Sequence, residues 1–159
     1  MIKALLHIML AAFGGQALLA MPAGAAQAYR HEVQFRTDDH RAEVAARKLL
    51  GKQDLEDGDL MHTAWVRFTD RGAPALLVMY ACSPTGNCEL NGFERAGASY
   101  RRVLDSLAQR CWVLRSRHGG HRDLAAYMHG DAFEGTRKIY RWRGKRYVRV
   151  SESVARSGD

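Results

Sequence analysis

A chain of 159 residues with 47% hydrophobic residues and a formal net charge of +7 is long enough to bury one hydrophobic core. It has no Gly-rich phosphate loop ahead of a helix and no Gly-rich elbow around Ser83, Ser99, Ser106 or Ser116, so the motifs of nucleotide-dependent and serine-hydrolase chemistry are missing.

Residues 1–28 read as a secretory signal peptide. Lys3 supplies the positive start, Ala4 to Met21 is almost entirely apolar or small, and Ala26-Gln27-Ala28 suits the peptidase. Cleavage falls before Tyr29 or after Ala25. Gly14, Gly15 and the small-residue end favour cleavage over a retained anchor, so no transmembrane segment is expected afterwards. The expected location is the periplasm or the medium. In residues 29–59, Thr37 or Asp38 can cap a helix over 38–50, with Ala42, Ala45, Ala46, Leu49 and Leu50 on one face. Gly51 stops it, and Glu43 can pair with Arg47. An acidic linker, Asp54 to Asp59, follows.

The β domain spans 60–150 and repeats itself at an offset of 47 residues. Trp65 answers Trp112, Gly72 answers Gly119, Tyr80 answers Tyr127, Gly97 answers Gly144 and Tyr100 answers Tyr147. The two units are 60–106 and 107–153. In the first, strands are predicted over Met61–Phe68, Ala75–Ala81, Glu89–Arg95 and Ser99–Leu104. In the second they are predicted over Cys111–Arg115, Leu124–His129, Arg137–Trp142 and Arg146–Val150. Asp105 to Arg110 reads as a turn or loop, and 151–159 as a loose polar tail. The fold expected is mainly β, two four-stranded repeats forming a sandwich or flattened barrel, with one short N-terminal helix. Equivalent positions make Trp65 and Trp112 core residues. Trp142 faces Arg95 in the repeat, so it is expected to be an exposed anchor.

Export puts the cysteines in an oxidising compartment. Cys82 and Cys88 bracket a Pro/Gly turn and can pair, leaving Cys111 as a buried free thiol.

Tyr140-Arg141-Trp142-Arg143-Gly144-Lys145-Arg146-Tyr147 resembles the aromatic-x-aromatic-x-Gly-x-x-Tyr hairpins of small exported bacterial proteins. Thr69-Asp70-Arg71-Gly72-Ala73-Pro74-Ala75-Leu76-Leu77-Val78 and His118-Gly119-Gly120-His121-Arg122-Asp123-Leu124 resemble degenerate FG-GAP or VCBS-type hairpins. The resemblance covers roughly residues 60–150. It implies the strand pairs but not that family's calcium, because Arg71, Arg117 and Arg122 crowd the turns.

His118, His121 and His129 lack the further donors of a zinc site and read as a polar turn with exposed histidines. No catalytic residue, metal site or cofactor is expected. Between Arg101 and Arg149 stand thirteen Lys and Arg against four Asp and Glu. The expected binding surface is Trp142, Arg141, Arg143, Arg137, Lys145 and His129, which would hold an acidic protein or an anionic envelope component. Export argues against nucleic acid. The function expected is therefore an exported non-catalytic binding module of inhibitor or immunity type. An envelope accessory protein and a small periplasmic hydrolase are the alternatives. The repeat-equivalent loops Cys82–Cys88 and His129–Thr136 differ most in sequence, and a shared face for them would favour a binding site there.

Overall fold

The computed structural model describes residues 29–51, 55, 58–131 and 133–156. The signal-peptide expectation and residues 54, 56 and 57 of the acidic linker lie outside them. The elements are β1 (Tyr29–Glu32), α1 (His40–Leu50), β2 (His62–Val66), β3 (Ala75–Tyr80), β4 (Cys88–Ala96), β5 (Ser99–Ala108), β6 (Arg110–His118), β7 (His121–His129), β8 (Glu134–Trp142) and β9 (Tyr147–Arg156). They form two antiparallel sheets, ordered β2-β3-β4-β5 and β1-β6-β7-β8-β9. The fold is a β-sandwich with one short helix.

Three local expectations change. Asp105 to Arg110 is not a loop, because β5 runs to Ala108 and β6 starts at Arg110. Ser151–Arg156 is not a loose tail but the second half of β9, paired residue by residue with β8. The helix cap is Asp39, whose Oδ1 accepts from the Ala42 N–H at 2.9 Å, while Asp38 is held by Arg36. Ala42, Ala46 and Leu50 bury the small face of α1 on the outer side of the four-stranded sheet, against Leu76, Val78 and Phe93. The Gly51 N–H closes the helix on the Arg47 carbonyl.

The 47-residue offset describes both four-strand units, and the β4–β5 and β8–β9 hairpins match down to their bulges. The register breaks between Gly92 and Phe93 in the first hairpin and between their equivalents, Ile139 and Tyr140, in the second. Two pairings depart. Trp65 lies opposite Leu76, so the offset would set Trp112 opposite Asp123; Trp112 instead lies opposite Ala125, a shift of two residues that keeps side chains on their faces. The second departure is by one residue. Leu77 lies opposite Gly92, so the offset would set Leu124 opposite Ile139; Leu124 instead lies opposite Tyr140. A slip of one residue turns each side chain to the other face of the sheet. Phe93 and Tyr100 therefore join the outer cluster beside α1, while Tyr140 and Tyr147 enter the core between the sheets. The same slip turns Arg95 outward and Trp142 inward.

The inter-sheet core gathers Phe68, Leu77, Leu90, Val113, Leu124 and Trp142 with their neighbours. Cys111 and its counterpart Ala64 both lie there. A further cluster on the outer face of the five-stranded sheet includes Trp112, Leu114, Tyr127 and Ile139, with Arg110 stacked over Trp112 at 4.8 Å. Trp65, by contrast, is 39% exposed on the outer face of the four-stranded sheet. The expectation of a buried Trp65 and an exposed Trp142 is thus reversed.

The N-terminal strap joins the sheets. β1 pairs with β6, Val33 donates to the Cys111 carbonyl at 2.8 Å, and Arg36 bridges to Thr63 of β2. At one end of the sandwich the loops at 82–88 and 129–135 meet. The Asn87 amide donates to the His129 carbonyl and accepts from the His129 N–H, both at 2.8 Å. The Cys82–Cys88 disulfide closes the first of these loops, and Cys111 is a buried free thiol.

Truncating Trp142 should leave a large void between the sheets. We expect Trp142→Ala to cost about 3–5 kcal/mol and Trp65→Ala less than about 1 kcal/mol in denaturant melts. Equal losses would contradict the slipped register. Burial pushes the Cys111 thiol up from 9.0 to about 12 and also raises the Tyr147 hydroxyl above its ordinary 10.0. Both stay protonated in the native state while the unfolded chain ionises. Their contribution to stability is therefore complete below about pH 9 and falls as the pH rises towards 12, by about 1.4 kcal/mol per pH unit for each group. In Cys111→Ala the alkaline loss should begin nearer pH 10, read from urea midpoints across that range.

Candidate functional site: an aromatic and arginine platform

The residues expected to form one binding surface are scattered. Trp142 is 6% exposed, its ring stacked on His121 at 3.8 Å, with Tyr147 edge-on and Arg101 5.7 Å from its centroid. It is a core residue. Arg137 and Arg141 lie half-buried on β8, and Arg141 Nε stands 3.7 Å from Asp123 Oδ2. Arg143 and Lys145 are exposed in the β8–β9 turn. His129 sits at the other end of β7 and β8, its backbone clamped by Asn87.

The histidines are not a free polar turn either. His121 Nε2 lies 2.7 Å from Glu94 of the opposite sheet, a polar tie across the sandwich beside Trp142. His118 Nδ1 and the Ser116 hydroxyl both bond the fully buried Asp123 carboxylate, at 2.7 and 2.8 Å. The serine is turned to the carboxylate and away from the imidazole, so the trio lacks the relay of a nucleophilic triad. Among the described residues no three His, Cys, Asp or Glu side chains are grouped as metal ligands.

Among the described residues, two surface cavities stand out beside a smaller one of about 120 Å³ lined by Arg102, Asp105 and Arg146. One, of about 590 Å³, follows the seam between the edges of β5 and β9. Lys138, Arg146 and Arg149 line it, but Glu89 and Asp105 share its walls, and Arg149 is paired with Glu152. Its floor is the Ser106–Tyr140 hydroxyl pair at 2.6 Å, and burial raises the Tyr140 hydroxyl. Opposite charges are in near balance there.

The other cavity, of about 430 Å³, lies on the outer face of the four-stranded sheet where α1 begins. Asp39, Arg41, Trp65, Pro74 and Tyr100 line it. The reason for the site is that α1 is only eleven residues long. It covers one part of an apolar face and leaves the rest open. Trp65 stands opposite Leu76, and Leu76 opposite Phe93, so their side chains share that face. The Trp65 and Tyr100 rings lie 6.5 Å apart at 58°. Arg102 stacks over Phe93 at 5.7 Å, and Arg95 stands opposite Tyr100 on the same face. Arg67, two residues after Trp65, donates to the Gly72 carbonyl at 3.0 Å. Arg41, Arg67, Arg95 and Arg102 are all exposed. An exposed indole thus shares its cavity with Arg41 and Asp39, and further exposed arginines lie along the same sheet. Guanidinium forks bind carboxylates or phosphates in pairs, and the rings supply apolar area at little entropic cost.

None of these residues was expected to form a binding surface: Trp65 and Tyr100 stood out only as repeat positions, Trp65 as a core residue. The one usable signal was parity. Trp142 is two residues from Tyr140 and shares its face, so a buried Tyr140 already implied a buried Trp142 and left Arg95 and its neighbours as the divergent outer surface. Comparison with family models, with curated proteins and with solved structures gave no match.

The geometry has an optical consequence. Trp112 and Trp142 are 8% and 6% exposed against 39% for Trp65. Acrylamide should quench native tryptophan emission mainly at Trp65. Trp65→Phe should remove most of the quenchable signal, and Trp112→Phe should leave it in place.

Proposed function

We propose that this protein is an exported, non-catalytic binding module that grips an acidic protein partner through the Trp65–Tyr100 platform. The observation that carries this reading is the exposed indole that shares one cavity with Arg41 and Tyr100, with Arg95 opposite Tyr100 and Arg102 over Phe93 on the same sheet face. Exposed tryptophan and arginine in one cavity is the composition of interface hot spots. The charge favours an acidic surface and steers its approach. The disulfide and the free, deeply buried Cys111 are compatible with an oxidising compartment. The packing of Ser116 and His118 on Asp123 supports a structural role for that cluster.

The test compares wild type, Trp65→Ala and Arg102→Glu in affinity capture from a periplasmic extract, followed by titration of the recovered partner. The expected result is one stoichiometric acidic protein whose affinity drops about thirtyfold with Trp65→Ala, equivalent to about 2 kcal/mol. Arg102→Glu should weaken it further at low salt than at high salt. A partner retained equally by both variants would sink the platform. Salt-sensitive sedimentation with anionic phospholipid vesicles, without any protein partner, would replace this reading with an envelope accessory role.

A further inference from the structure

β9 is the outer strand of the five-stranded sheet and pairs only with β8 among the described strands. It is ten residues long, and everything from Val148 to Val154 is exposed. Long edge strands are usually blunted by charge, bulges or a covering loop, because their open N–H and C=O groups recruit another strand. The first half of β9 is blunted in this way. A bulge between Arg149 and Ser151 breaks the ladder there. The second half, Ser151–Arg156, is regular; among the described strands none pairs with its outer edge, and all but Ala155 of it is exposed. Val154 is 70% exposed in it, and Phe133, which precedes the residue paired with Arg156, is 78% exposed at the same corner. Asp131 fixes that turn by accepting from the N–H groups of Phe133 and Glu134, each at 2.9 Å. The other sheet's edge, β5, is better guarded, with Arg101, Arg102 and Asp105 exposed along it.

The sequence of this half-strand is self-complementary. Glu152, Val154 and Arg156 alternate onto one face, opposite Lys138, Thr136 and Glu134 of β8. We propose that β9 pairs antiparallel with β9 of a second copy, about a two-fold axis at Val154. In this register Val154 meets its own copy, and Glu152 of each chain meets Arg156 of the other. Cross-strand apolar and opposite-charge pairs of this kind are what fix register in a sheet. The contact is isologous, so it closes on itself and stops at two copies. The occupant is a second copy because that face of Ser151–Arg156 carries one acid and one base, spaced equally from the axis; Glu152, paired with the exposed Arg149 of its own chain, lies at the surface where it can exchange to Arg156 of the other copy. The inference does not depend on the platform, which lies on the other sheet.

Sedimentation velocity over about a hundredfold concentration range around the micromolar tests it. The wild-type protein should reach dimer mass. Glu152→Arg and Arg156→Glu should each weaken the dimer at least tenfold, and the double exchange should restore it. Val154→Arg should be monomeric with a native circular dichroism spectrum. Trp65→Ala should remain a dimer, which separates this result from the fate of the proposed platform. A wild type that stays monomeric overturns the proposal. So does a dimer indifferent to the charge reversals, a double exchange no better than either single one, or a dimer lost in Trp65→Ala.

Discussion

A slip of one residue, where β8 pairs onto β7, decides what each face of this molecule can be. The last two strands of each unit share length, hairpin register and bulge position, and a faithful copy would have put equivalent side chains on equivalent faces. The slip exchanges inside for outside in the last two strands. Tyr140, Trp142 and Tyr147 then fill the space between the sheets, where Phe68 meets Tyr147 and His121 stacks on Trp142. The first unit keeps Phe93, Tyr100 and Arg95 outside. Duplication supplies the frame. The slip gives the halves different work, one contributing aromatic bulk to the interior and the other an aromatic surface.

The polar groups follow from that arrangement. At the end of the sandwich where Trp142 lies, Glu94 reaches across to His121, Arg122 and Arg117 share Asp70, and the Tyr147 hydroxyl donates to the Arg122 carbonyl. The guanidinium groups hold the Asp70 carboxyl below its ordinary range. A buried aromatic stack bordered by such polar pairs is costly to rearrange, since a broken pair strands a charge at the margin of the core, where Arg122 Nε is already buried without a hydrogen-bond partner. At the far end the link between loops is made by Asn87, whose amide imitates a strand residue towards His129. The two loops that diverge most between the units are therefore in direct contact.

Much of the fold was legible because strand period and turn glycines are local signals. Gly97 and Gly144, with φ of +64° and +76°, sit in the tight turns where the repeat placed them. Ala42, Ala46 and Leu50 bury the face that their spacing implied. The tryptophans were misplaced for a reason that is not local. A repeat fixes which strand a residue occupies, but exposure depends on pairing phase and on what lies over the sheet. Trp65 and Trp112 are equivalent outward positions, yet one is buried and the other lies beyond the reach of a short helix. Likewise β1 carries too few residues to announce itself, and β9 reads as polar because an edge strand open to solvent has no need of apolar alternation. The candidate platform was illegible since Arg41, Trp65, Arg95 and Tyr100 come from four separate elements.

The strap at residues 29–36 has a bearing on the order in which the molecule assembles. It touches the edges of both sheets, and Glu32 meets Arg110 from 78 residues away in the chain. On the ribosome this segment emerges before either sheet exists. β2 to β5 can complete their meander from neighbouring segments while the strap waits for β6, and closing so long a loop is slow relative to forming hairpins. The segment made first is thus among the last to find its place, and it seals a seam that two independently formed sheets have already brought together.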